Sequence, residues 1–252
     1  MSEPPVIIRD AILAVDIGAT TTKFAAIDDE GHLIEEVRRV PTPYPCSPER
    51  LVDFVLEHVG RSGCARVGVG FPGDLREGRV LEPGNLSRPG GFTSPIDPAL
   101  HEAWQGTELE RAFREASGLD VRVVNDATLA ALGCCEGMGR ELVFTLGTGF
   151  GIALVVDDTN VRIRDVGDEV FLDGGTYDEV LGDYARSQDQ TLWNDRLVIA
   201  ILSFVKEFSA EVVHLGGGNS RRVEVRRFEG QPWRVVVNDN VATLRGAAKL
   251  FR

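Results

Sequence analysis

The sequence predicts an α/β protein made of two related lobes with a cleft between them. Three glycine-rich turns each follow an apolar, strand-like run, and they are Asp16–Lys23, Thr145–Gly151 and His214–Ser220. Glycine lets a backbone approach a ligand closely, and consecutive N–H groups and hydroxyls can surround phosphate oxygens. A single turn of this kind is about as often only a tight turn as it is a ligand-binding turn. Three of them, two beside predicted hairpins, predict a clamp for a nucleotide or polyphosphate.

The first half of the chain alternates strands with amphipathic helices. Its predicted elements are strands Ile12–Ile17, Lys23–Ile27 and His32–Val40, helix Glu49–Val59 and strand Arg66–Gly70. The three opening strands are separated by short polar turns, which indicates an antiparallel meander. The segment 83–99 is rich in Pro, Gly and Ser. A long irregular stretch inside a compact domain is often functional.

The second half repeats the alternation. After helix Thr107–Ser117, which Gly118 closes, the predicted elements are strand Val121–Val124, helix Ala127–Glu136, a hairpin of Glu141–Leu146 with Ile152–Val156, helix Leu192–Phe208, strands Glu211–Leu215 and Trp233–Val237, and helix Asn240–Phe251. Asp126 stands directly before one of these helices and can cap it.

Composition excludes several classes of function. The chain has 252 residues, of which 43% are hydrophobic, and its net charge is -12. That charge argues against binding to nucleic acid or to an anionic membrane, since both rely on basic surface. No apolar run approaches the roughly 20 residues of a membrane-spanning helix, and Met1–Pro5 does not resemble a signal peptide. We therefore expect a cytoplasmic protein without membrane or nucleic-acid partners.

Two further groups of residues allow alternative interpretations. The four cysteines, Cys46, Cys64, Cys134 and Cys135, show no metal-ligand spacing, and we expect thiols rather than disulfides or zinc ligands. The basic residues after the third glycine turn are either a solvated face or part of a phosphate site. They are Arg221, Arg222, Arg226 and Arg227.

An ordered set of motifs carries a family resemblance. The motifs are Asp16-x-Gly18-x-Thr20 with Lys23, Phe71-Pro-Gly73, Val124-Asn125-Asp126-Ala127, Leu146-Gly-Thr-Gly-x-Gly151 and Gly216-Gly-Gly218. In this order they resemble the ROK family of sugar kinases over about residues 11–250. Within that family the chain is most similar to the short polyphosphate glucokinase branch.

The resemblance implies a fold, a reaction and an assembly. The fold is the actin-like ATPase (ribonuclease H-like) fold, with an N-terminal lobe at 1–120, a C-terminal lobe at 121–252 and the last helix packing on the N-terminal lobe. The reaction is phosphoryl transfer from polyphosphate or ATP to the 6-hydroxyl of a hexose, with Mg²⁺. A homodimer is implied. The Cys-rich zinc motif of most members is missing after the second turn, so we expect no structural zinc.

Asp126 is the candidate catalytic base. A sugar hydroxyl must lose its proton as it attacks, and a carboxylate within hydrogen-bond reach assists that step. The alternative is that Asp126 only caps the helix after it.

The phosphate and metal residues lie in the glycine turns. Asp16 can hold Mg²⁺ through water, since Mg²⁺ keeps most of its hydration shell. The predicted phosphate contacts are Gly18, Thr20, Thr21, Gly147, Thr148 and Gly149, and the predicted nucleotide or polyphosphate contacts are Gly216, Gly217, Gly218 and Asn219. Lys23 is either a phosphate counter-charge or an exposed strand lysine.

The resemblance assigns sugar binding to a set of polar residues. One segment that contains two of them departs from the family's pattern. The predicted sugar contacts are Asn85, Asn125, Asp126, Asp165 and Asp168. The family's Glu-x-Gly-His segment aligns with Asp165-Val-Gly-Asp168, so a shorter acid replaces Glu and a second acid replaces His. This change puts glucose as the substrate in doubt.

Two functions other than that of a kinase are compatible with the family resemblance. A sugar- or nucleotide-binding protein that has lost catalysis is favoured by the acids at 165 and 168. A transcriptional repressor of this family would need an N-terminal DNA-binding domain, and only about ten residues precede the first predicted strand. We therefore do not expect a regulator.

Overall fold

The computed structural model describes residues 11–161, 163, 165–239 and 241–252, apart from the side chains of Arg61 and Thr93. The chain divides into two compact units, which are Met1–Leu129 with Thr243–Arg252, and Ala130–Ala242.

Strands and helices alternate through both units. In the described residues the strands are β1 Ile12–Ile17, β2 Thr21–Ile27, β3 Arg38–Pro41, β4 Arg66–Phe71, β5 Asp74–Arg76, β6 Arg79–Glu82, β7 Asp120–Asn125, β8 Arg140–Leu146, β9 Phe150–Val156, β10 Thr159–Val161, β11 Val170–Leu172, β12 Gly175–Thr176, β13 Val212–Gly216 and β14 Arg234–Val237. The α-helices are α1 Pro48–Ser62, α2 Pro98–Trp104, α3 Leu109–Ser117, α4 Asp126–Cys134, α5 Tyr177–Leu181, α6 Asp183–Gln188, α7 Gln190–Phe208 and α8 Ala242–Arg245. Short 3₁₀ helices are Gly84–Ser87, Gly91–Thr93, Ser220–Arg222, Val225–Phe228 and Gly246–Phe251.

The first unit is built on a five-stranded sheet of order β3-β2-β1-β4-β7. Its sheet is buried on both faces, because alternate residues of β1 enter different hydrophobic clusters. Leu13 and Val15 pack in the cluster that contains residues of α1 and α3. Ile12 and Ala14 pack with residues of α4 and of the C-terminal segment. A strand covered on both faces reads as a continuous apolar run, as β1 does.

The second unit is built on a five-stranded sheet of order β10-β9-β8-β13-β14. Its core includes Trp193, Leu197, Ile201 and Phe204 of α7. In each sheet the first two neighbouring pairs are antiparallel and the last two are parallel. The two units therefore repeat one pattern, as the sequence predicted, and the α/β fold class is confirmed.

Several predicted boundaries were wrong. The third strand is Arg38–Pro41 rather than His32–Val40, because the Asp28 side chain accepts from the amides of Glu30 and His32 and holds the chain in a turn. Only Ala242–Arg245 of the last predicted helix is α-helical. Beyond it the chain tightens into a 3₁₀ helix, where Ala247 lies directly against Gly68 of β4.

The division between the units also differs from the predicted lobe boundary. It lies after Leu129, whereas the sequence placed it after residue 120. The reason is that β7 pairs in parallel with β4, so β7 belongs to the first sheet, and Asp126, which follows β7 directly, belongs to the first unit. Among the helices that the structure describes, we find none long and apolar enough to cross a membrane.

Candidate active site

The first glycine turn joins β1 to β2 and is held through its carbonyl groups. The hydroxyl of Thr42 donates to the Gly18 carbonyl at 2.7 Å, and the phenol of Tyr44 donates to the Ala19 carbonyl at 2.8 Å. The amide of Thr42 donates to the Thr20 carbonyl at 3.1 Å. Because carbonyl oxygens cannot donate to phosphate oxygens, this turn would contact phosphate through amides and through the hydroxyl of the exposed Thr20.

A short backbone contact closes the same turn. The amide of Gly18 donates to the carbonyl of Thr21 at 3.2 Å. A Cβ atom at position 18 would lie 2.8 Å from that oxygen, which is closer than side-chain carbons come. The three predicted phosphate contacts of this turn, Gly18, Thr20 and Thr21, therefore lie on a fixed backbone.

Asp16, the predicted Mg²⁺ residue, is paired with Lys23. The two residues face each other across β1 and β2, and Lys23 Nζ donates to Asp16 Oδ2 at 2.8 Å. Lys23 is thus neither an exposed strand lysine nor, here, a group directed only at phosphate. The Asp16 side chain is 12% exposed and adjoins the glycine turn. A carboxylate in that setting fits Mg²⁺ held through water, which would share Asp16 with the ammonium group.

Asn125 caps α4, a role that the sequence analysis gave to Asp126. Its Oδ1 accepts from the amides of Ala127 at 2.9 Å and Thr128 at 3.2 Å, and its Nδ2 donates to the Gly73 carbonyl at 2.9 Å. Asp126 is half-buried, and its Oδ1 accepts from the Ala127 amide at 2.8 Å within the helix start. The capping role of Asn125 was not predicted from the sequence, although asparagine is a preferred N-cap residue.

The predicted sugar residues of the first unit are attached to the Pro72–Gly73 turn. Gly84 packs so closely against this turn that a Cβ atom on it would overlap the Pro72 carbonyl oxygen. Asn85 follows Gly84 directly and is half-buried, and in the described part of the chain we find no hydrogen bond to its side chain. The segment that carries Asn85 therefore packs on Pro72–Gly73 through the backbone of Gly84, and Asn125 reaches this turn through its side chain.

The second glycine turn joins β8 to β9 and is held by a carboxylate. Asp178, at the start of α5, accepts from the Phe150 amide through Oδ1 at 2.7 Å. A Cβ atom on Gly149 would lie 2.5 Å from that same oxygen. The contact between Asp178 and the second glycine turn was not predicted from the sequence. The pattern Thr176-x-x-Glu179, a capping box in the structure, could have predicted the start of α5 but not this contact.

Asp178 also touches the segment that departs from the family. Its amide donates to the Gly167 carbonyl at 3.0 Å, and Asp165 Oδ1 accepts from the Gly167 amide at 3.0 Å. Asp165 and Asp168 are both exposed. They belong to the second unit, whereas Asn85, Asn125 and Asp126 belong to the first.

The third glycine turn is bonded to the second. Its backbone requires glycine at position 217, where φ is +82° and a Cβ atom would overlap the Leu146 carbonyl oxygen. Asn219 donates from its amide to the Leu146 carbonyl at 2.9 Å and from Nδ2 to the Gly147 carbonyl at 3.3 Å. The parallel pairing of β8 with β13 explains why the two turns meet.

The four arginines after this turn are not equivalent. Arg227 pairs with Asp195 and, at 2.7 Å, with Glu224, and Arg226 lies 3.7 Å from Glu224. The hydrogen bond from Arg227 is the main reason that the pKa of Glu224 is lowered. Arg221 and Arg222 are exposed, and no ion pair of theirs is found in the described residues. In this basic run they are therefore the two arginines without a carboxylate partner among the described residues.

The two sheets have the same strand order, and in each a glycine turn joins the strands of a hairpin, β1–β2 in the first and β8–β9 in the second. This repeat defines a protein of the actin-like ATPase class. Residues 12–163 match the ROK family, and the chain belongs to that family. It is 30% identical over 153 residues to a glucokinase of Streptomyces coelicolor, a match that covers 57% of this chain and 43% of the relative. The chain thus matches less than half of that glucokinase.

Two solved structures resemble the whole chain. One is the inorganic polyphosphate/ATP-glucomannokinase from Arthrobacter sp. strain KM, with 28% identity, a TM-score of 0.76 and coverage of 96% of this chain and 98% of the other. The second is a ROK family glucokinase from Streptomyces griseus in complex with glucose and AMPPNP, with 20% identity, a TM-score of 0.68 and coverage of 95% and 98%. The second likeness shows the fold alone.

Proposed function

We propose that this protein is a sugar kinase that transfers a phosphoryl group from polyphosphate or ATP to the 6-hydroxyl of a glucose-like hexose, with Mg²⁺. One observation carries the proposal. Asp126 stands at the start of α4, a helix that Asn125 caps, and Asn125 is bonded to the turn that also holds the Asn85 segment. The likeness to a glucomannokinase over nearly the whole of both chains supports the same class.

Asp126 would take the proton from the attacking hydroxyl. Because Asn125 accepts two helix amides, the start of α4 does not depend on Asp126 alone. The Ala127 amide, 2.8 Å from Asp126 Oδ1, instead orients the carboxylate. A positioned base of this kind contributes on the order of a hundred- to ten-thousand-fold to the rate.

The glycine turns would hold the phosphoryl donor. Gly18, Thr20 and Thr21 would contact the transferred group, as would Gly147, Thr148 and Gly149 of the second turn, and Gly216, Gly217, Gly218 and Asn219 would contact the rest of the donor. Mg²⁺, held by Asp16 through water, would offset the negative charge of the phosphates. Lys23 keeps Asp16 oriented through its 2.8 Å contact.

The donor and the sugar depend on two exposed groups. Arg221 and Arg222 favour a polyphosphate chain, because each could neutralise one phosphate unit. Asp165 and Asp168 favour a sugar that offers hydroxyl donors to both carboxylates. We also propose a homodimer and a cytoplasmic location, and sedimentation and cell fractionation test these two points.

A second candidate is a binding protein without catalysis. It is favoured by the exposed acids at 165 and 168, which replace the family's Glu and His. Calorimetry that shows hexose binding, with no turnover of any hexose, would support this candidate instead.

The deciding experiment is a coupled assay with Mg²⁺ that offers ATP or polyphosphate against glucose, mannose, fructose and N-acetylglucosamine. Asp126→Asn should lower kcat by at least about a hundredfold. Asp120→Asn, at the other end of the same strand, is the matched control and should leave kcat unchanged. Undiminished turnover in a folded Asp126→Asn protein would remove Asp126 from the mechanism.

A further inference from the structure

Three buried side chains of the second unit converge on one point, and none of them is a predicted phosphate contact. Cys135, Glu141 and His214 each offer one ligand atom, and these atoms all lie within 4.8 Å of one another. The three residues are 8%, 0% and 1% exposed. They come from the end of α4, from β8 and from β13, and nothing in the proposed phosphoryl transfer uses them.

Glu141 is held as a carboxylate by donors on every side. It accepts from the amides of Glu136 at 3.0 Å, Gly137 at 2.7 Å and Met138 at 3.2 Å, and its Oε2 lies 2.7 Å from His214 Nε2. These contacts orient the Glu141 carboxylate toward His214, within the cluster that also contains Cys135.

The ring of His214 can present either tautomer. Its Nδ1 lies 3.4 Å from Nδ2 of Asn238. The Asn238 side chain can donate from Nδ2, or it can accept if the amide group is rotated so that its oxygen faces the ring. If Asn238 accepts, the imidazole proton sits on Nδ1, and Nε2 offers its lone pair toward Glu141 and Cys135. An outer amide that fixes the tautomer of a ligating histidine is a usual companion of metal sites.

We propose that Cys135 Sγ, Glu141 Oε2 and His214 Nε2 form a site for a divalent, thiophilic metal ion of the zinc class. The thiol proton leaves to solvent, and the imidazole proton moves from Nε2 to Nδ1. The thiolate and the carboxylate then neutralise the two positive charges, which a buried ion requires. Sulfur, nitrogen and oxygen ligands of this kind suit Zn²⁺ rather than Mg²⁺.

The site differs from the zinc motif that the chain lacks, and it revises the expectation that no zinc is bound. It would join the end of α4 to β8 and β13. His214 opens the third glycine turn, two residues before Gly216, and its buried side chain faces Glu141. The metal would therefore stabilise the second unit at the start of that turn.

The test is titration of the chelator-treated full chain with Co²⁺, followed by Zn²⁺. Wild type should develop a thiolate-to-cobalt charge-transfer band that saturates at one ion per chain and disappears when Zn²⁺ is added. Cys135→Ser and His214→Gln should lose the band. Cys134→Ser, the neighbouring cysteine, is the matched control and should keep it.

Folding is checked independently by circular dichroism and by Tm. Zn²⁺ should raise the Tm of wild type and of Cys134→Ser but not that of Cys135→Ser. The absence of a band in wild type would overturn the proposal, as would a band that persists in a folded Cys135→Ser protein. None of these readouts depends on kinase activity, so the site can fail while the proposed function stands.

Discussion

The turn between β1 and β2 and the turn between β8 and β9 occupy equivalent places in two sheets of the same pairing order, but different groups hold them. Neutral hydroxyls of Thr42 and Tyr44 hold the first turn. The carboxylate of Asp178 holds the second. The fold therefore determines where a phosphate-type turn lies, while the neighbouring side chains determine its charge.

This difference has an electrostatic consequence. An anion already accepts the Phe150 amide in the second turn, at 2.7 Å. Two unit charges about 4 Å apart repel by about 1 kcal/mol in water and by more when partly buried. We therefore expect the first turn to be the stronger phosphate site.

The largest effect should come from the backbone of the third turn. Gly217→Ala should lower the free energy of unfolding by about 3 kcal/mol, since it combines a positive φ with overlap of the Leu146 carbonyl. Gly18→Ala meets only the Thr21 carbonyl at 2.8 Å, without a positive φ, and should cost about 1 kcal/mol. Urea unfolding measures both.

Gly147→Ala is the control for these two variants, because a Cβ atom there meets no atom within 4 Å. Its stability should match that of wild type. Equal losses in all three variants would show that the turns of the two units do not differ in their need for glycine.

The next effect separates two asparagines of the first unit. Asn125→Ala removes the cap of α4 and the bond to Gly73 and should cost about 2 kcal/mol of stability. Asn85→Ala should leave stability unchanged and raise the KM for sugar. A loss of stability in Asn85→Ala, measured by thermal unfolding, would contradict the separate roles of these residues.

Periodicity and turn chemistry predicted most of the fold. β1 and the β8–β9 hairpin were predicted to within two residues at each end, because apolar strands between glycine turns give a strong local signal. The pairing of β7 with β4 was not predicted, since it joins residues far apart in the chain. For that reason the predicted lobe boundary fell too early.

The candidate site was predictable as a set of motifs but not as a set of contacts. The order of motifs located Asp126 and the glycine turns, but no local pattern shows that Lys23 pairs with Asp16 or that Asp178 reaches the second turn. The cluster of Cys135, Glu141 and His214 was not predicted either, because its residues come from three separate parts of the chain.

The charge of the second turn can be removed with little change of shape. Asp178→Asn keeps an oxygen that can accept the Phe150 amide, and it should lower the KM for the phosphoryl donor about fivefold, equivalent to about 1 kcal/mol. The gain should shrink as salt is added. Asp173→Asn makes the same change in net charge at an exposed position and should not alter the KM. A donor KM that rises in Asp178→Asn would mean that the carboxylate supports phosphate binding.

The smallest effect concerns Tyr44, which holds the first glycine turn, at high pH. Burial, with a smaller contribution from Cys46, raises the pKa of Tyr44 to about 12, so the folded protein keeps this phenol protonated where an unfolded tyrosine, with a pKa of about 10, loses its proton. The stability linked to this shift is complete below about pH 10 and is lost as the pH rises toward 12. Between pH 9 and 11, Tyr44→Phe should therefore lose less stability than wild type, by about 1 kcal/mol or less because the side chain is only partly buried. Parallel pH profiles of the two proteins would contradict a raised pKa for the buried Tyr44 phenol.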